Sequence, residues 1–117
     1  MWHDLVKLKK KYRKPVVFSF GNVAASGGYY AACAGGRIFA SPGTTTGSIG
    51  VVFGKITLEE LYRKLGINKD VIKMSEFADI FSESRRLTGK EKDLLQKGID
   101  FTYDRFTGKV MEARRIS

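Results

Sequence analysis

A serine surrounded by small residues is the part of the sequence best suited to chemistry. Ser26 lies in the run NVAASGGYY (residues 22–30), between a predicted strand and a predicted helix. At the carboxyl edge of an open α/β sheet its hydroxyl would meet a ligand, and backbone N–H groups at the helix start would suit a developing oxyanion. The spacing also fits a simpler role as a helix cap, because serine is a favoured N-cap residue and the Gly-x-Ser-x-Gly elbow is absent.

A nucleophilic serine needs a general base, and the sequence offers no obvious one. The single histidine, His3, lies in a lysine-rich segment and is expected to be a surface residue, so no Ser-His-Asp triad is predicted within the chain. A lysine whose pKa is lowered by burial could replace the histidine. Lys55 and Lys73 lie nearest to apolar residues, but on sequence alone both are expected to be structural.

Composition excludes several classes of protein. The chain has 117 residues, of which 43% are hydrophobic, and this is typical of one globular domain. One cysteine, Cys33, and one histidine exclude a disulfide framework and a metal cluster, and Cys33 is expected to be a small buried side chain. No apolar run reaches the roughly 18 residues of a membrane-spanning helix.

The net charge of +9 is concentrated near the two ends of the sequence. Nucleic acid, an anionic membrane surface or an acidic protein would each fit such a charge. Since no nucleic-acid-binding motif accompanies it, a solvated helix face and a basic surface segment are expected.

Helical and strand-like patterns alternate along the chain, which predicts an α/β fold whose parallel strands are joined by crossover helices. The sequence contains two capping boxes, Thr57–Glu60 and Thr88–Glu91, and a Ser/Thr/Gly-rich loop at 41–50. Helices are predicted at 2–13, 26–33, 57–65 and from 88 onward, and strands at 16–20, 37–40, 49–53 and 70–73.

Several segments share their residues, order and spacing with one known family. These are KPVV (14–17), GNVAASGGYY (21–30), ASPGTTTGSIGV (40–51), KLGI (64–67), ADIFS (78–82) and the last helix. They resemble signal peptide peptidase A, also called protease IV, a serine peptidase family of the ClpP/crotonase superfamily. The resemblance implies a ClpP/crotonase-like core, incomplete as a domain over residues 1–117, and a serine endopeptidase that cleaves hydrophobic signal-peptide remnants.

The resemblance also implies roles for individual residues. Ser26 falls on the family's nucleophile, and its own backbone N–H, with the backbone of Gly27, would serve the oxyanion hole and the substrate. Ser48, in TGSIG, falls where the family has a hydroxyl that orients the catalytic lysine. A loop-stabilising hydroxyl is the alternative role for Ser48.

The chain departs from the family at the general base. In the short form of the family, a lysine immediately precedes an Asp-Ile pair, whereas here Ala78 precedes Asp79 and Ile80. In the long, tandem form the lysine comes from another half-domain, so the resemblance implies the serine-bearing part of a long-form member. Lys73 is the fallback base within the chain. A Gly-Gly turn that completes the family's oxyanion hole is also absent before residue 14, so the isolated chain is expected to be inactive.

The resemblance implies no metal and no organic cofactor. It implies a peptide substrate, a homo-oligomer, and association of the full-length parent with a bacterial inner membrane or its equivalent through parts outside this chain. The chain itself is expected to be soluble, and no nucleic acid is expected. The alternatives are a catalytically inactive or phage-capsid-type relative, and a non-enzymatic basic binding module.

Overall fold

The computed structural model describes residues 1–116, in which helices alternate with short strands. In chain order the elements are α1 (Trp2–Tyr12), β1 (Val17–Ser19), β2 (Val23–Ala25), α2 (Gly27–Ala32), β3 (Arg37–Phe39), β4 (Thr45–Gly47), α3 (Glu59–Lys64) and α4 (Gly89–Arg114).

All strand pairing in the described residues is parallel, as the alternation of elements predicts. β1 pairs with β3, with Phe18 opposite Ile38, and β2 pairs with β4, with Ala24 opposite Thr46. Since each parallel pair needs a connection that returns to the same end, the segment from 26 to 44, which contains α2, separates β2 from β4.

The structure corrects the predicted strands in three ways. Residues Val23–Ala25, where no strand was predicted, form β2 because they pair with β4. β4 lies inside the stretch 41–50 that was predicted to be a loop, and hydrogen bonds from two threonine hydroxyls of this stretch explain why. The hydroxyls of Thr44 and Thr46 donate to the carbonyls of Gly21 and Ala24, each at 2.9 Å, and so attach this stretch to β2 and to the turn before it. The strands predicted at 49–53 and 70–73 do not form, because no neighbouring strand among residues 1–116 pairs with them.

The described chain divides into two compact units. The first comprises residues 1–51 and 101–116, and its core is formed by Cys33, Phe106 and Val110. Trp2, Tyr29 and Tyr30 pack against this core, and the Tyr30 and Phe106 rings meet edge to face at 5.3 Å. Burial raises the pKa of the Cys33 thiol, in agreement with the predicted buried role.

The second unit, residues 52–100, is organised around a buried ion cluster. Arg85 forms two-pronged contacts with both Asp79 and Glu91, and Glu91 is only 2% exposed. The capping box predicted at Thr88 is confirmed, since the Thr88 N–H donates to Glu91 Oε2 at 2.8 Å and the Glu91 N–H donates to Thr88 Oγ1 at 3.3 Å.

The other predicted capping box, Thr57–Glu60, is wrong. Helix α3 begins at Glu59, and Leu58 occupies the N-cap position without a side-chain cap bond. The Leu58 N–H donates instead to the Glu83 carbonyl at 2.7 Å, so a distant backbone carbonyl satisfies the N–H at the start of this helix. That both units are parts of one partial domain stays a prediction.

Candidate active site

Ser26 lies on a sharp turn between β2 and α2. Its backbone has φ 50° and ψ −116°, a conformation that non-glycine residues rarely adopt. Such a residue costs about 1–3 kcal/mol and persists only where the surrounding structure imposes it. The turn therefore has the strained strand-to-helix geometry of a nucleophile elbow, although its sequence is Ala-Ala-Ser-Gly-Gly instead of Gly-x-Ser-x-Gly.

The Ser26 hydroxyl does not cap the helix, which corrects the simpler interpretation of this residue. Ser26 occupies the N-cap position of α2, but its side chain makes no cap hydrogen bond. The residue is exposed, and among residues 1–116 its hydroxyl has no hydrogen-bond partner. A hydroxyl that is held on a rigid turn and left unpaired is available to an incoming group.

The backbone of Ser26 is fixed on both sides. Its N–H donates to the Gly47 carbonyl at 2.8 Å, and its carbonyl accepts from the Tyr30 N–H at 2.8 Å. In this structure the Ser26 N–H is therefore not free for an oxyanion. The other predicted oxyanion donor is the Gly27 N–H. It lies in the first turn of α2, where a backbone N–H has no carbonyl acceptor within the helix, so it can donate to an oxyanion.

The pairing of β2 with β4 brings Ser48 next to the Ser26 turn. Ala25 lies opposite Gly47 in the parallel register, so Ser26 and Ser48 are the residues that directly follow at the carboxyl ends of the two strands. Ser48 is also exposed and also has φ 50°. A hydroxyl that assists the nucleophile must lie beside it, and Ser48 has this position relative to Ser26. That the Ser48 hydroxyl orients a lysine stays a prediction.

The glycines that follow Ser26 line open space. A Cβ added to Gly27 or Gly28 would meet no atom within 4 Å, and neither residue has a positive φ. Neither packing within the described chain nor backbone geometry requires glycine there. Because glycine has no side chain, the turn is accessible to another polypeptide backbone at these two positions.

The candidate bases have other partners in this structure. The Lys73 ammonium donates to Asp79 Oδ1 at 2.9 Å and to the Glu76 carbonyl at 3.1 Å. The Lys55 ammonium donates to the Ile80 carbonyl at 2.8 Å. These contacts all lie within the second unit and give both lysines structural roles there.

Ala78, at the position of the family's short-form lysine, and His3 are both exposed. Ala78 lies in a turn, with its N–H directed to the Ser75 carbonyl at 3.3 Å, and His3 lies on α1.

One pair of residues that supports the turn was missed by sequence reasoning. The Arg114 Nε donates to the Tyr29 hydroxyl at 2.9 Å, which ties the end of α4 to the helix that follows Ser26. With the Tyr30–Phe106 contact, it anchors α2 in the first unit. The two residues are 85 positions apart, and no local pattern signals such a pair.

Backbone strain at position 26 predicts an unusual effect of glycine. We expect Ser26→Gly to be more stable than Ser26→Ala by about 1 kcal/mol, since relief of a strain of about 1–3 kcal/mol exceeds the usual entropic cost of glycine of about 0.5–1 kcal/mol. Urea unfolding of both variants measures the difference. The same two substitutions at Ser19, an exposed residue of β1, are the control, and there alanine should be the more stable. The same order at both positions would contradict a strained turn.

Comparisons with known proteins agree with this geometry. Residues 8–117 match the model of peptidase family S49. Over 99% of its length the chain is 41% identical to "Serine protease SPPA, chloroplastic" of Arabidopsis thaliana, and over 87% it is 42% identical to "Protease 4" of Salmonella typhi. It is also 36% identical, over 97% of its length, to a protein of Enterococcus faecium that carries signal peptide peptidase SppA in its name.

The chain is much shorter than these relatives. It spans 17% of the Arabidopsis protein, 16% of the Salmonella protein and 33% of the Enterococcus protein. The family match nevertheless covers nearly all of the chain, including the Ser26 turn, β4, α3 and α4. The chain belongs to peptidase family S49.

Proposed function

We propose that this chain is the nucleophile-bearing part of a serine peptidase, with Ser26 as the nucleophile. The observation that carries the proposal is the Ser26 turn itself, where a strained backbone presents an exposed hydroxyl without a partner among residues 1–116. In the reaction the Ser26 Oγ attacks the scissile carbonyl, the amine leaves, and water then hydrolyses the acyl-enzyme.

The backbone around Ser26 supports the same reaction. The Gly27 N–H is the donor for the oxyanion, because the Ser26 N–H is held by Gly47. That bond to Gly47 keeps the turn in place while charge develops on the substrate. The open space over Gly27 and Gly28 admits the peptide backbone.

A lysine from outside these 117 residues takes the proton from Ser26, which gives a Ser/Lys dyad. The partners of Lys55 and Lys73 favour this assignment, since both ammonium groups already donate to protein oxygens. Ser48, beside the turn, orients the incoming lysine. Without that lysine the isolated chain is inactive, because a positioned general base contributes about 10²–10⁴-fold to the rate.

One relative's name and the resemblance of the sequence support the substrate class, and the resemblance alone supports the assembly. A relative named for signal peptide peptidase supports hydrophobic signal-peptide remnants as substrates. The core adopts a ClpP/crotonase-like arrangement, and the protein forms a homo-oligomer that associates with a membrane through other parts. Within residues 1–116, no helix combines the length and apolar character needed to cross a bilayer.

An alkyl fluorophosphonate, which reacts with nucleophilic serines, tests the proposal on the chain as it stands. We expect a slow adduct located at Ser26 by peptide mass spectrometry, absent in Ser26→Ala and unchanged in Ser41→Ala, which removes another exposed serine. Added propylamine, a soluble stand-in for the lysine side chain, should accelerate the reaction in proportion to its free-base form.

Two outcomes would contradict the proposal in different ways. Adducts spread equally over several serines would show that Ser26 is not a privileged nucleophile and would favour a catalytically inactive relative. Fast labelling of Ser26 that reaches a plateau near neutral pH without amine would show that the chain contains its own base.

A further inference from the structure

The net positive charge belongs almost entirely to one of the two units. Residues 1–51 and 101–116 contain eleven Lys and Arg against three Asp and Glu, a net charge of +8. Residues 52–100 contain ten Lys and Arg against nine Asp and Glu, a net charge of +1. The two units have similar numbers of basic residues, so the asymmetry comes from the absence of balancing acids in the first.

Helix α1 concentrates this charge on its outer side. Lys7, Lys10 and Lys11 are spaced i, i+3 and i+4, which places them in one stripe, and all three are exposed. The opposite side of α1 is half-buried against the first unit, and it consists of Trp2, Leu5, Val6 and Lys9. The lysine stripe is therefore directed to solvent by the packing of the rest of the helix.

Apolar side chains lie beside the lysines. Leu8 and Tyr12, spaced i and i+4, are 48% and 58% exposed and adjoin the stripe formed by Lys7 and Lys11. Exposed single hydrophobic residues are common, but here two stand together on the basic side of an amphipathic helix.

No lysine of the stripe forms an ion pair in the described part of the chain, although Lys7 and Lys10 act electrostatically on Asp4 and Glu112 from a longer distance. Asp4, the acid on α1, pairs with the amino terminus at 2.8 Å. Glu112, the carboxylate that Lys10 approaches, pairs with Lys109 at 2.8 Å, and that contact is the main cause of its lowered pKa. Among residues 1–116, no carboxylate lies within ion-pair distance of Lys7, Lys10 or Lys11.

We propose that the outer face of α1, formed by Lys7, Leu8, Lys10, Lys11 and Tyr12, binds the surface of an anionic lipid bilayer. The lysines would meet the headgroups, while Leu8 and the Tyr12 ring enter the boundary between headgroups and acyl chains, where tyrosine is favoured. Long lysine side chains reach the headgroups from such a position. The proposal is independent of the peptidase activity, because it uses none of the residues around Ser26.

The composition of α1 favours lipid over nucleic acid. Its sequence WHDLVKLKKKY contains no Asn, Gln or Arg, so lysine is the only one of the side chains that usually contact base edges through two hydrogen bonds. Two apolar side chains within the basic face would gain nothing from a phosphate backbone, whereas they add buried apolar area at a membrane surface.

Vesicle sedimentation of the whole chain tests the proposal. Vesicles of phosphatidylcholine mixed with phosphatidylglycerol should bind the chain at physiological ionic strength, and pure phosphatidylcholine vesicles should not. The triple variant Lys7→Gln, Lys10→Gln, Lys11→Gln should lower the partition coefficient on the order of a hundredfold, since each lysine near an anionic surface contributes about fivefold.

A variant with the same change of charge elsewhere is the control. Lys64→Gln, Lys92→Gln, Lys97→Gln removes three exposed lysines of the second unit and should keep most of the binding. Leu8→Ser with Tyr12→Ser should weaken binding to anionic vesicles, and circular dichroism should show each variant to be folded.

Three results would overturn the proposal. Equal losses in both triple variants would mean that net charge, not α1, drives binding. No effect of the Leu8 and Tyr12 substitutions would remove the apolar contribution. Release of the chain from vesicles by an equal charge concentration of short double-stranded DNA would identify nucleic acid as the preferred partner.

Discussion

Replacing Phe106 with alanine is expected to lower the free energy of unfolding by about 3–5 kcal/mol, the usual cost of removing a buried phenylalanine. Phe106 is 6% exposed and lies in the core of the first unit with Cys33 and Val110. Its ring also meets Tyr30 edge to face at 5.3 Å, so the substitution removes an aromatic pair as well as apolar burial. Urea unfolding followed by circular dichroism measures the loss.

A second phenylalanine on the same helix provides the control. Phe101 lies five positions earlier in α4 and is 66% exposed, so Phe101→Ala should change the free energy of unfolding by less than about 0.5 kcal/mol. Equal effects at the two positions would contradict the described core. Because Tyr30 belongs to α2, Phe106→Ala should also slow fluorophosphonate labelling of Ser26 more than its global unfolding explains.

The second large effect is expected at Glu91, in the ion cluster of the second unit. Hydrogen bonds from Arg85, and then from the Thr88 backbone, lower the pKa of the Glu91 carboxyl from 4.5 to about 2. A carboxyl whose pKa is lower in the folded state stabilises that state fully above pH 4.5, and this contribution is lost as the pH falls toward about 2. The thermal midpoint of the chain should therefore fall through this acid range.

Two other carboxylates contribute in the same direction. Arg85 and Lys73 lower the pKa of Asp79, and Lys69, a backbone bond and Tyr62 lower the pKa of Glu83 to about 2. The second unit thus holds three acids that resist protonation, and their loss of charge should unfold it cooperatively.

Glu91→Gln should remove the contribution of Glu91 to the acid dependence of the thermal midpoint, and it should also destabilise the chain at neutral pH. The substitution leaves the Arg85 guanidinium with a single carboxylate partner, Asp79, inside a buried cluster. Glu60→Gln breaks an exposed pair with Arg63 and should change neither the midpoint at neutral pH nor its acid dependence. An unchanged acid profile in Glu91→Gln would mean that Glu91 titrates normally.

Local patterns predicted the helices well, because their information lies within a few residues. Helix α1 ends at Tyr12, one residue earlier than predicted, since Arg13 adopts a left-handed conformation before Pro15. The Thr88 capping box begins α4 as predicted. The Thr57 box does not form, because the Leu58 N–H donates to a backbone carbonyl 25 positions further along the chain.

Strands were harder to predict, because a strand exists only when another strand pairs with it. The apolar runs at 49–53 and 70–73 resemble strands, yet Val52 and Ile72 are 96% and 99% exposed and unpaired in the described chain. The less apolar Thr45–Gly47 became β4 because β2 lies beside it. Pairing depends on distant residues and cannot be derived from the composition of one segment.

The sequence by itself determined the family and the identity of Ser26 as the candidate nucleophile, since both rest on the order of a few residues around positions 21–30 and 40–51. Only the tertiary structure showed that the Ser26 hydroxyl is unpaired, that its N–H is held by Gly47, and that Ser48 follows at the next strand end. The physical reason is the same for all three. They depend on the parallel pairing of β2 with β4, which joins segments more than twenty residues apart and imposes on Ser26 a backbone conformation that serine does not choose alone.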